Sequence, residues 1–463
     1  MTESIRTGSR RQQLLNMSFF CVLTACYFTC TFLSSPVLIL YFIGVIATIG
    51  LLSYANKKAQ ERIDSLTIFL VTLTAGLLLV FANYVGYVRN GVPFLYPDQM
   101  HFYEQAQILA SQSSILSCVL YASQNYIEYN FIYGLNGVLG YIDKLVSGGV
   151  HFLPLLFSVA YLTALIPVFF YHTLKLYVPN KTALIGSLYF GLATPIMAYS
   201  GFLLRDIHLS LLFSIVLFWV VRGISTPRIL GILLMFPIVA GLRLANVFLL
   251  MALLVIYIFS GKTSKAIRFL CIVAIVAGGL FYASKISTTL LSTQSRLEHY
   301  EDRTVASVNS TEGVGKKIYS LPPVIKETAI ALNGLISFPF WGKISSNLDA
   351  QEIVMNAYNT ITNIGWFFIF TGLLYFIKPL TSLLRAKKNR LLLYLFILSL
   401  LYVTSNVSNM TTRRIMYVYP FMMLPFMIVY QRQSKEKRKK HVTFTISLIL
   451  LLTLAYAFLL FLI

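Results

Sequence analysis

The sequence predicts an all-α polytopic membrane protein, with about thirteen transmembrane helices and two long outward loops that carry interfacial helices. Three observations support this fold class. Hydrophobic residues make up 57% of the chain, charged residues make up 11%, and the mean hydropathy is +0.75. These values lie far outside the range of a soluble domain, so the apolar segments are interpreted as helices buried in lipid.

Apolar runs of about 20 residues are long enough to cross the hydrocarbon core of a bilayer. In chain order, the predicted spans are residues 17–34, 36–55, 66–88, 151–171, 183–200, 203–221, 228–241, 244–260, 269–287, 357–377, 391–405, 415–431 and 443–463. Arg6, Arg10 and Arg11 precede the first run, and no small-residue cleavage site follows it. We therefore expect a first transmembrane helix there and not a removed signal peptide.

The charge balance predicts the orientation of the chain. There are 37 Lys and Arg against 16 Asp and Glu, a net charge of +21. Most of the basic residues fall in alternate segments between the predicted spans, starting with the N-terminal segment, as expected for cytoplasmic loops. This pattern predicts an inner (plasma) membrane protein with a cytoplasmic N-terminus and a periplasmic C-terminus. It indicates membrane lipid as a partner and argues against nucleic acid.

The predicted spans and loops divide the chain into five regions. These are N-terminal transmembrane helices (1–88), a first long periplasmic loop with an acidic motif (89–150), a central transmembrane bundle (151–287), a second long periplasmic loop (288–356) and C-terminal transmembrane helices (357–463). Both loops contain helix-like pieces that are typical of a membrane interface. The second also fits a mobile cap over a substrate cleft.

The polar motif of the first loop runs from Tyr96 to Glu104 and follows a long apolar run directly. Asp98, His101 and Glu104 are spaced three apart, so on a helix they lie roughly along one face. A carboxylate and an imidazole at the mouth of a span could take a proton from a substrate hydroxyl. We therefore consider Asp98 and His101 catalytic candidates, supported by Glu104. Two alternatives stay open: Asp98 could cap the following helix, and His101 could be an ordinary interfacial histidine.

The same three side chains are of metal-binding type, but their spacing is not a zinc signature and no distant ligand accompanies them. No metal site and no cofactor is therefore expected, and a divalent metal is the weaker alternative. The five cysteines (Cys21, Cys26, Cys30, Cys118 and Cys271) lie mostly inside apolar runs, which favours a packing role. A Gly-rich phosphate loop and a nucleophile elbow are both missing from the sequence, which argues against a nucleotide-driven cytoplasmic enzyme.

Several arginines lie on the predicted outward side, where positive charge is not expected. They are Arg89 after the third span, Arg205 before the sixth, Arg243 between two apolar halves, and Arg413 and Arg414 before the twelfth. An arginine at membrane depth costs about 2.5–3.5 kcal/mol on insertion scales, so these positions need a reason. The guanidinium fork matches phosphate oxygens, and we expect the five arginines to bind a substrate phosphate.

Asp206 and His208, next to Arg205 in the sequence, are expected to support this phosphate site. Structural roles remain open for the same residues. Asp206 could simply neutralise Arg205 or Arg243. Arg413 and Arg414 could extend along the apolar surface and place their charges in the headgroup region.

These residues resemble the membrane glycosyltransferases of the GT-C superfamily. The likeness lies in a long first outward loop that begins Pro97-Asp98-Gln99-Met100-His101-Phe102. Leu204-Arg205-Asp206 at the start of a span, then Arg222, and Arg413-Arg414 before Tyr419-Pro420-Phe421 also resemble bacterial oligosaccharide repeat-unit polymerases of the Wzy and EpsG kind. The resemblance covers residues 66–260 and 406–425.

The resemblance implies an enzyme of cell-envelope polysaccharide synthesis, for example of O-antigen. It implies a donor carried on polyprenyl phosphate or diphosphate, such as the undecaprenyl carrier, and a glycan or lipid acceptor. It assigns the role of base to Asp98 and phosphate binding to Arg205, Arg243, Arg413 and Arg414. The sequence departs from the pattern in having two spans before the acidic loop, and in having Gln99 where a second acidic residue is frequent.

Two other function classes can be weighed against this one. A lipid-linked sugar flippase or exporter without transferase activity would also need a basic cavity, because it handles the same anionic substrates. Such transporters often contain repeats with discontinuous helices in both halves, and the broken 228–260 region lacks a matching partner in the sequence. An ion channel or structural subunit explains neither the long outward loops nor the arginines.

Overall fold

The computed structural model describes most of the chain, and the described part is helical without any strand. The described residues are 2–93, 98–126, 129–223, 225–260, 349–406 and 412–461, with short pieces at 273, 322, 325, 334–336, 338 and 340. The predicted span 269–287 and most of the predicted second loop, including the predicted cap, lie outside them.

The described helices are α1 (Thr2–Leu33), α2 (Leu38–Ala55), α3 (Ala59–Asn90), α4 (Asp98–Ala110), α5 (Ile115–Asn125), α6 (Asn130–Ser147), α7 (Phe152–Leu174), α8 (Asn180–Leu192), the single turn α9 (Pro195–Ala198), α10 (Asp206–Val221), α11 (Thr226–Leu242), α12 (Asn246–Ser260), α13 (Ala350–Tyr375), α14 (Ile377–Arg385), α15 (Arg390–Asn406), α16 (Tyr419–Arg432) and α17 (Lys435–Phe461). Short 3-10 turns cover Lys387–Asn389, Thr412–Arg414 and Met416–Val418.

Several of these helices are long and apolar enough to cross a membrane, which agrees with the predicted class. Within the described residues they are α1, α2, α3, α7 and α17, and α13 with α14 would add one more if that pair, bent by 73°, is a single broken span. The helices α10, α11 and α12 are apolar but contain only 16, 17 and 15 residues. The predicted count of thirteen spans is therefore not confirmed.

The predicted span 183–200 shows why some apolar runs give shorter helices. α8 ends at Leu192, and the backbone becomes extended at Thr194 before the turn α9 begins at Pro195. The residue before a proline is sterically disfavoured in the helical region, so Thr194 breaks the helix. A continuous apolar run is therefore divided between α8 and a separate turn.

The bundle has buried central helices and lipid-type outer helices. The apolar windows of α3 and α7 are 61% and 72% buried, whereas those of α1, α2 and α17 are only 17%, 22% and 11% buried. The outer helices thus expose large apolar side chains such as Phe32 and Leu454. Exposing such side chains to water would be unfavourable, so a hydrocarbon environment accounts for this surface.

The first predicted loop contains three helices, α4, α5 and α6. α4 packs closely along α6, because Gly137 leaves room for Leu109: a Cβ atom at Gly137 would lie only 2.5 Å from the Leu109 Cβ. The start of α6 packs against the end of α11, where Gly241 faces Phe131. Packed on the bundle in this way, the loop presents the start of α4 to the ends of the central helices.

Candidate functional site

The candidate site is formed where the beginning of α4 meets the segment before α16. Asp98 lies in the first turn of α4, and Arg413 lies in the 3-10 turn Thr412–Arg414. The Arg413 Nη1 atom donates a hydrogen bond of 2.7 Å to Asp98 Oδ2. The Asp98 side chain is 45% exposed and that of Arg413 is 24% exposed. A ligand can therefore reach the carboxylate from outside while the guanidinium stays held in the protein.

Gln99 fixes the position of Asp98. Its side chain is fully buried, and its Oε1 atom accepts hydrogen bonds from Asn83 Nδ2 (2.9 Å) and from the backbone N–H of Leu203 (2.8 Å). Asn83, near the end of α3, also donates to the carbonyl of Gly201 (2.8 Å). These bonds connect α3, the start of α4 and the segment before α10. The neighbouring Asp98 is thereby held at a defined place on the bundle.

A second carboxylate, Asp206, is buried at the start of α10. It accepts a hydrogen bond from the hydroxyl of Tyr417, which is itself fully buried. Arg243, in the break between α11 and α12, points Nη1 at the same hydroxyl at 3.5 Å. A buried carboxylate needs such partners, because an isolated charge away from water is strongly unfavourable. Asp206, Tyr417 and Arg243 thus form one polar group inside the bundle.

Arg413 joins this group to Asp98. Burial opposes its charged form, but the carboxylates of Asp206 and Asp98 outweigh that effect and raise the pKa of the guanidinium above its ordinary value. Arg413 therefore lies within electrostatic reach of both carboxylates while hydrogen bonding to one of them.

Arg414 belongs to the same region through Tyr402. The Tyr402 hydroxyl donates a hydrogen bond of 2.7 Å to Asn246 Oδ1, at the start of α12. Arg243 and Arg414 both act electrostatically on that hydroxyl. We call Arg243, Arg413 and Arg414, together with Asp98 and Asp206, the arginine cluster. It brings together residues from four separate parts of the chain.

An aromatic group packs against Arg205, the residue before Asp206. The Arg205 guanidinium carbon lies 3.7 Å from the centre of the Tyr129 ring, which is a cation–π contact. The rings of Tyr129 and Tyr126 contact the ring of Tyr133, with centres 6.0 and 4.6 Å away. We call Tyr126, Tyr129 and Tyr133 the tyrosine cluster. Arg205 thus faces an aromatic ring, and it forms no ion pair with Asp206.

The backbone at Tyr129 is unusual. Its φ angle is +65°, in the left-handed region, and among the described non-glycine residues it alone has a positive φ. For a residue with a large side chain this conformation costs about 1–2 kcal/mol. Strained backbone of this kind concentrates at functional sites, where the surrounding structure maintains it. In this conformation the Tyr129 ring contacts the guanidinium of Arg205.

His101 contacts the tyrosine cluster. Its Nε2 atom lies 2.8 Å from the Tyr133 hydroxyl. Steps of three residues rotate a helical side chain by about 60° each, so Glu104 is about 120° around α4 from Asp98. Glu104 is accordingly exposed. The three residues of the acidic motif therefore have three different surroundings.

The remaining predicted site residues, Arg89 and His208, form no hydrogen bond or ion pair with the arginine cluster within the described ranges, although Asp206 acts electrostatically on His208. Arg89 is exposed in the last turn of α3. His208 is buried two residues into α10, about 200° around the helix from Asp206, and so on the opposite side. No group of three or more His, Cys, Asp or Glu side chains within the described ranges is arranged to hold a metal ion.

Sequence reasoning missed five residues that build the site. Gln99, Tyr129, Tyr133, Tyr402 and Tyr417 carry no charge at neutral pH, so a search for charges at membrane depth passes over them. A signal was present for two of them, because the segment from Tyr126 to Tyr133 is rich in tyrosine.

Comparisons of the chain with known protein families, with curated proteins and with solved structures find no match.

Proposed function

We propose that this protein is an integral-membrane glycosyltransferase. It transfers a sugar, or an assembled oligosaccharide, from a polyprenyl-phosphate or polyprenyl-diphosphate carrier to an acceptor at the periplasmic face. The observation that carries the proposal is the arginine cluster, in which a partly exposed carboxylate, Asp98, is hydrogen bonded to Arg413 beside Arg243 and Arg414. Such a site combines an acid–base group with cations for a phosphate.

The leaving group explains the need for several guanidiniums. When the bond between the sugar C1 atom and the phosphate oxygen breaks, negative charge develops on the phosphate. Fixed cations near a low-dielectric environment stabilise that charge in the transition state. Arg413 and Arg243 are suited to this role, because the Arg413 side chain is only 24% exposed and the Arg243 guanidinium contacts the buried Tyr417 hydroxyl. Arg414 adds a third cation in the same cluster.

Asp98 serves as the base in this proposal. A phosphate that binds Arg413 replaces Asp98 as the hydrogen-bond acceptor of the guanidinium. The Asp98 carboxylate is then free to accept a proton. The acceptor hydroxyl then gives its proton to Asp98, its oxygen attacks the sugar C1 atom, and the carrier phosphate departs with the electron pair. A correctly placed base of this kind contributes about 10²- to 10⁴-fold to a rate. His101, three residues along α4, lies beside the acceptor and orients it.

The tyrosine cluster suits the sugar. Binding sites for small molecules combine apolar and aromatic surfaces with a few polar groups that fix orientation. The partly exposed rings of Tyr126 and Tyr129, which contact the buried ring of Tyr133, provide such a surface next to Arg205 and His101. The sugar of the donor would lie on these rings, with its phosphate directed toward the arginine cluster.

The test is transfer by the purified protein in lipid nanodiscs. The protein is incubated with a radiolabelled oligosaccharide on polyprenyl diphosphate, with and without unlabelled acceptor, and the products are separated by size. A ladder indicates a polymerase, and a single addition indicates a transferase. A parallel assay in sealed vesicles follows a fluorescent lipid-linked sugar across the bilayer. Movement without any product would replace the proposal with the exporter alternative.

A further inference from the structure

A cleft of about 420 Å³ lies at the end of α10 opposite the candidate site. It is lined by Leu176 and Tyr177 after α7, by Val221 at the end of α10, and by Arg222 and Arg228. Small-molecule sites typically have volumes of about 300–1,000 Å³, so this cleft is large enough for a headgroup. α10 has 16 residues and is therefore about 24 Å long, which separates the cleft from Asp206.

The turn that carries the two arginines is firmly built. Gly223 has a φ of +89°, and its carbonyl accepts a hydrogen bond of 2.7 Å from the hydroxyl of Tyr257 on α12. The same hydroxyl accepts from the backbone N–H of Ser225 at 3.2 Å. The Arg228 Nη1 atom donates to the carbonyls of Gly223 and Arg222. Arg228 is therefore held in place before any ligand arrives.

Arg222 is placed differently. Its guanidinium carbon lies 4.6 Å from the centre of the Phe218 ring, one helical turn earlier, and its side chain is exposed. Within the described ranges, no ion pair joins Arg222 or Arg228 to a carboxylate. The nearby basic residue Lys175, by contrast, is neutralised by Glu61 at 2.6 Å. The two cleft arginines thus leave a positive charge that an anion can neutralise.

The start of α11 adds to the positive electrostatic potential of the cleft. Ser225 precedes the helix without capping it through its side chain, and a helix N-terminus carries partial positive charge. Arginine side chains bind phosphate through a planar pair of donors. We propose that this cleft binds one phosphate group at the membrane surface, carried by an anionic lipid headgroup or free in solution. The apolar Leu176 and Val221 beside the arginines favour the lipid, because acyl chains can lie against them.

The test measures binding with the full-length protein in phosphatidylcholine nanodiscs. Spin-labelled phosphatidylglycerol is titrated in one arm, and inorganic phosphate and glycerol 3-phosphate are titrated in two others. The Arg222→Gln/Arg228→Gln double variant should lower the affinity for the anionic probe at least tenfold. Arg222→Gln alone should lower it about threefold, and this variant leaves the hydrogen bonds of Arg228 in place.

The matched control is Lys387→Gln/Lys388→Gln, which removes two exposed charges outside the cleft. This variant should change the affinity less than twofold. Equal weakening by both double variants would show a general attraction to positive charge and overturn the proposal, as would unchanged binding in the cleft variants. Arginine-dependent binding of phosphatidylglycerol alone identifies a lipid, and equal arginine-dependent binding of inorganic phosphate identifies a soluble ligand. These readouts are independent of any transferase activity.

Discussion

Arg413 and Asp98 are 315 positions apart in the chain and are joined by a hydrogen bond of 2.7 Å. The same guanidinium lies within electrostatic reach of Asp206. An anionic ligand that binds Arg413 must therefore compete with a carboxylate that already belongs to the site. This competition connects ligand binding to the state of Asp98, and it has a measurable consequence.

We predict that Asp98→Asn strengthens the binding of pyrophosphate to the purified protein. The neutral amide no longer competes for Arg413, and a partly exposed ion pair is worth up to about 1 kcal/mol, or about fivefold in affinity. Arg413→Gln should weaken the same binding at least tenfold. Isothermal titration calorimetry measures both effects. Glu104→Gln removes an equal charge from the exposed part of α4 and should leave the affinity unchanged; weaker binding in Asp98→Asn would refute the competition.

We predict that Gln99→Leu destabilises the protein through the loss of a buried acceptor. Asn83 and the backbone of Leu203 would each keep a buried N–H without this partner, at a cost of about 1–3 kcal/mol per group. The midpoint of thermal unfolding in detergent should fall clearly. Glu104→Gln changes an exposed side chain on the same helix and should unfold near the native temperature. If Gln99→Leu also unfolds near the native temperature, the hydrogen bonds of Gln99 do not hold α4.

We predict that Tyr417→Phe destabilises the bundle by about 1.5–3 kcal/mol, the usual range for a hydrogen bond to a charged group. The variant removes one hydroxyl and leaves the Asp206 carboxylate buried without its donor. Unfolding by denaturant, followed through intrinsic fluorescence, measures the change. Tyr394→Phe is the control, since Tyr394 is 41% exposed on α15. Equal stability of the two variants would contradict the role of Tyr417.

We predict that Tyr129→Gly is more stable than Tyr129→Ala by about 1 kcal/mol, because glycine adopts the left-handed conformation without strain. Both variants remove the ring beneath Arg205 and should bind the lipid-linked donor more weakly. Tyr129→Phe keeps the ring and should bind like the native protein. Thermal unfolding and donor binding are measured on the same preparations. A less stable glycine variant would argue against strain at this position.

Much of the fold could be predicted from local patterns. Each predicted span other than 269–287 overlaps a described helix, because an apolar run of sufficient length is a local signal. The lengths were less predictable, because Thr194 divides the predicted span 183–200 between α8 and a separate turn.

The candidate site depends on contacts that no local pattern encodes. Charge at membrane depth drew attention to Asp98, Asp206 and Arg413, but their partners lie hundreds of residues away. The sequence left open whether Asp206 supports a phosphate site or neutralises Arg205 or Arg243, and nothing in it pointed to the hydrogen bond from Tyr417. Neutral hydrogen-bonding residues such as Gln99 and Tyr417 look like ordinary helix residues in the sequence. Their roles follow only from the packing that buries them.

The proposed role of Asp98 as the base is tested most directly by the turnover of Asp98→Asn with a lipid-linked donor and acceptor. We predict that product formation falls at least about 100-fold, as expected for the loss of a base, while donor binding is no weaker than in the native protein. Membrane level and unfolding temperature serve as controls, together with Glu104→Gln, which should retain full turnover. Product formation by Asp98→Asn at the native rate would show that Asp98 is not the base.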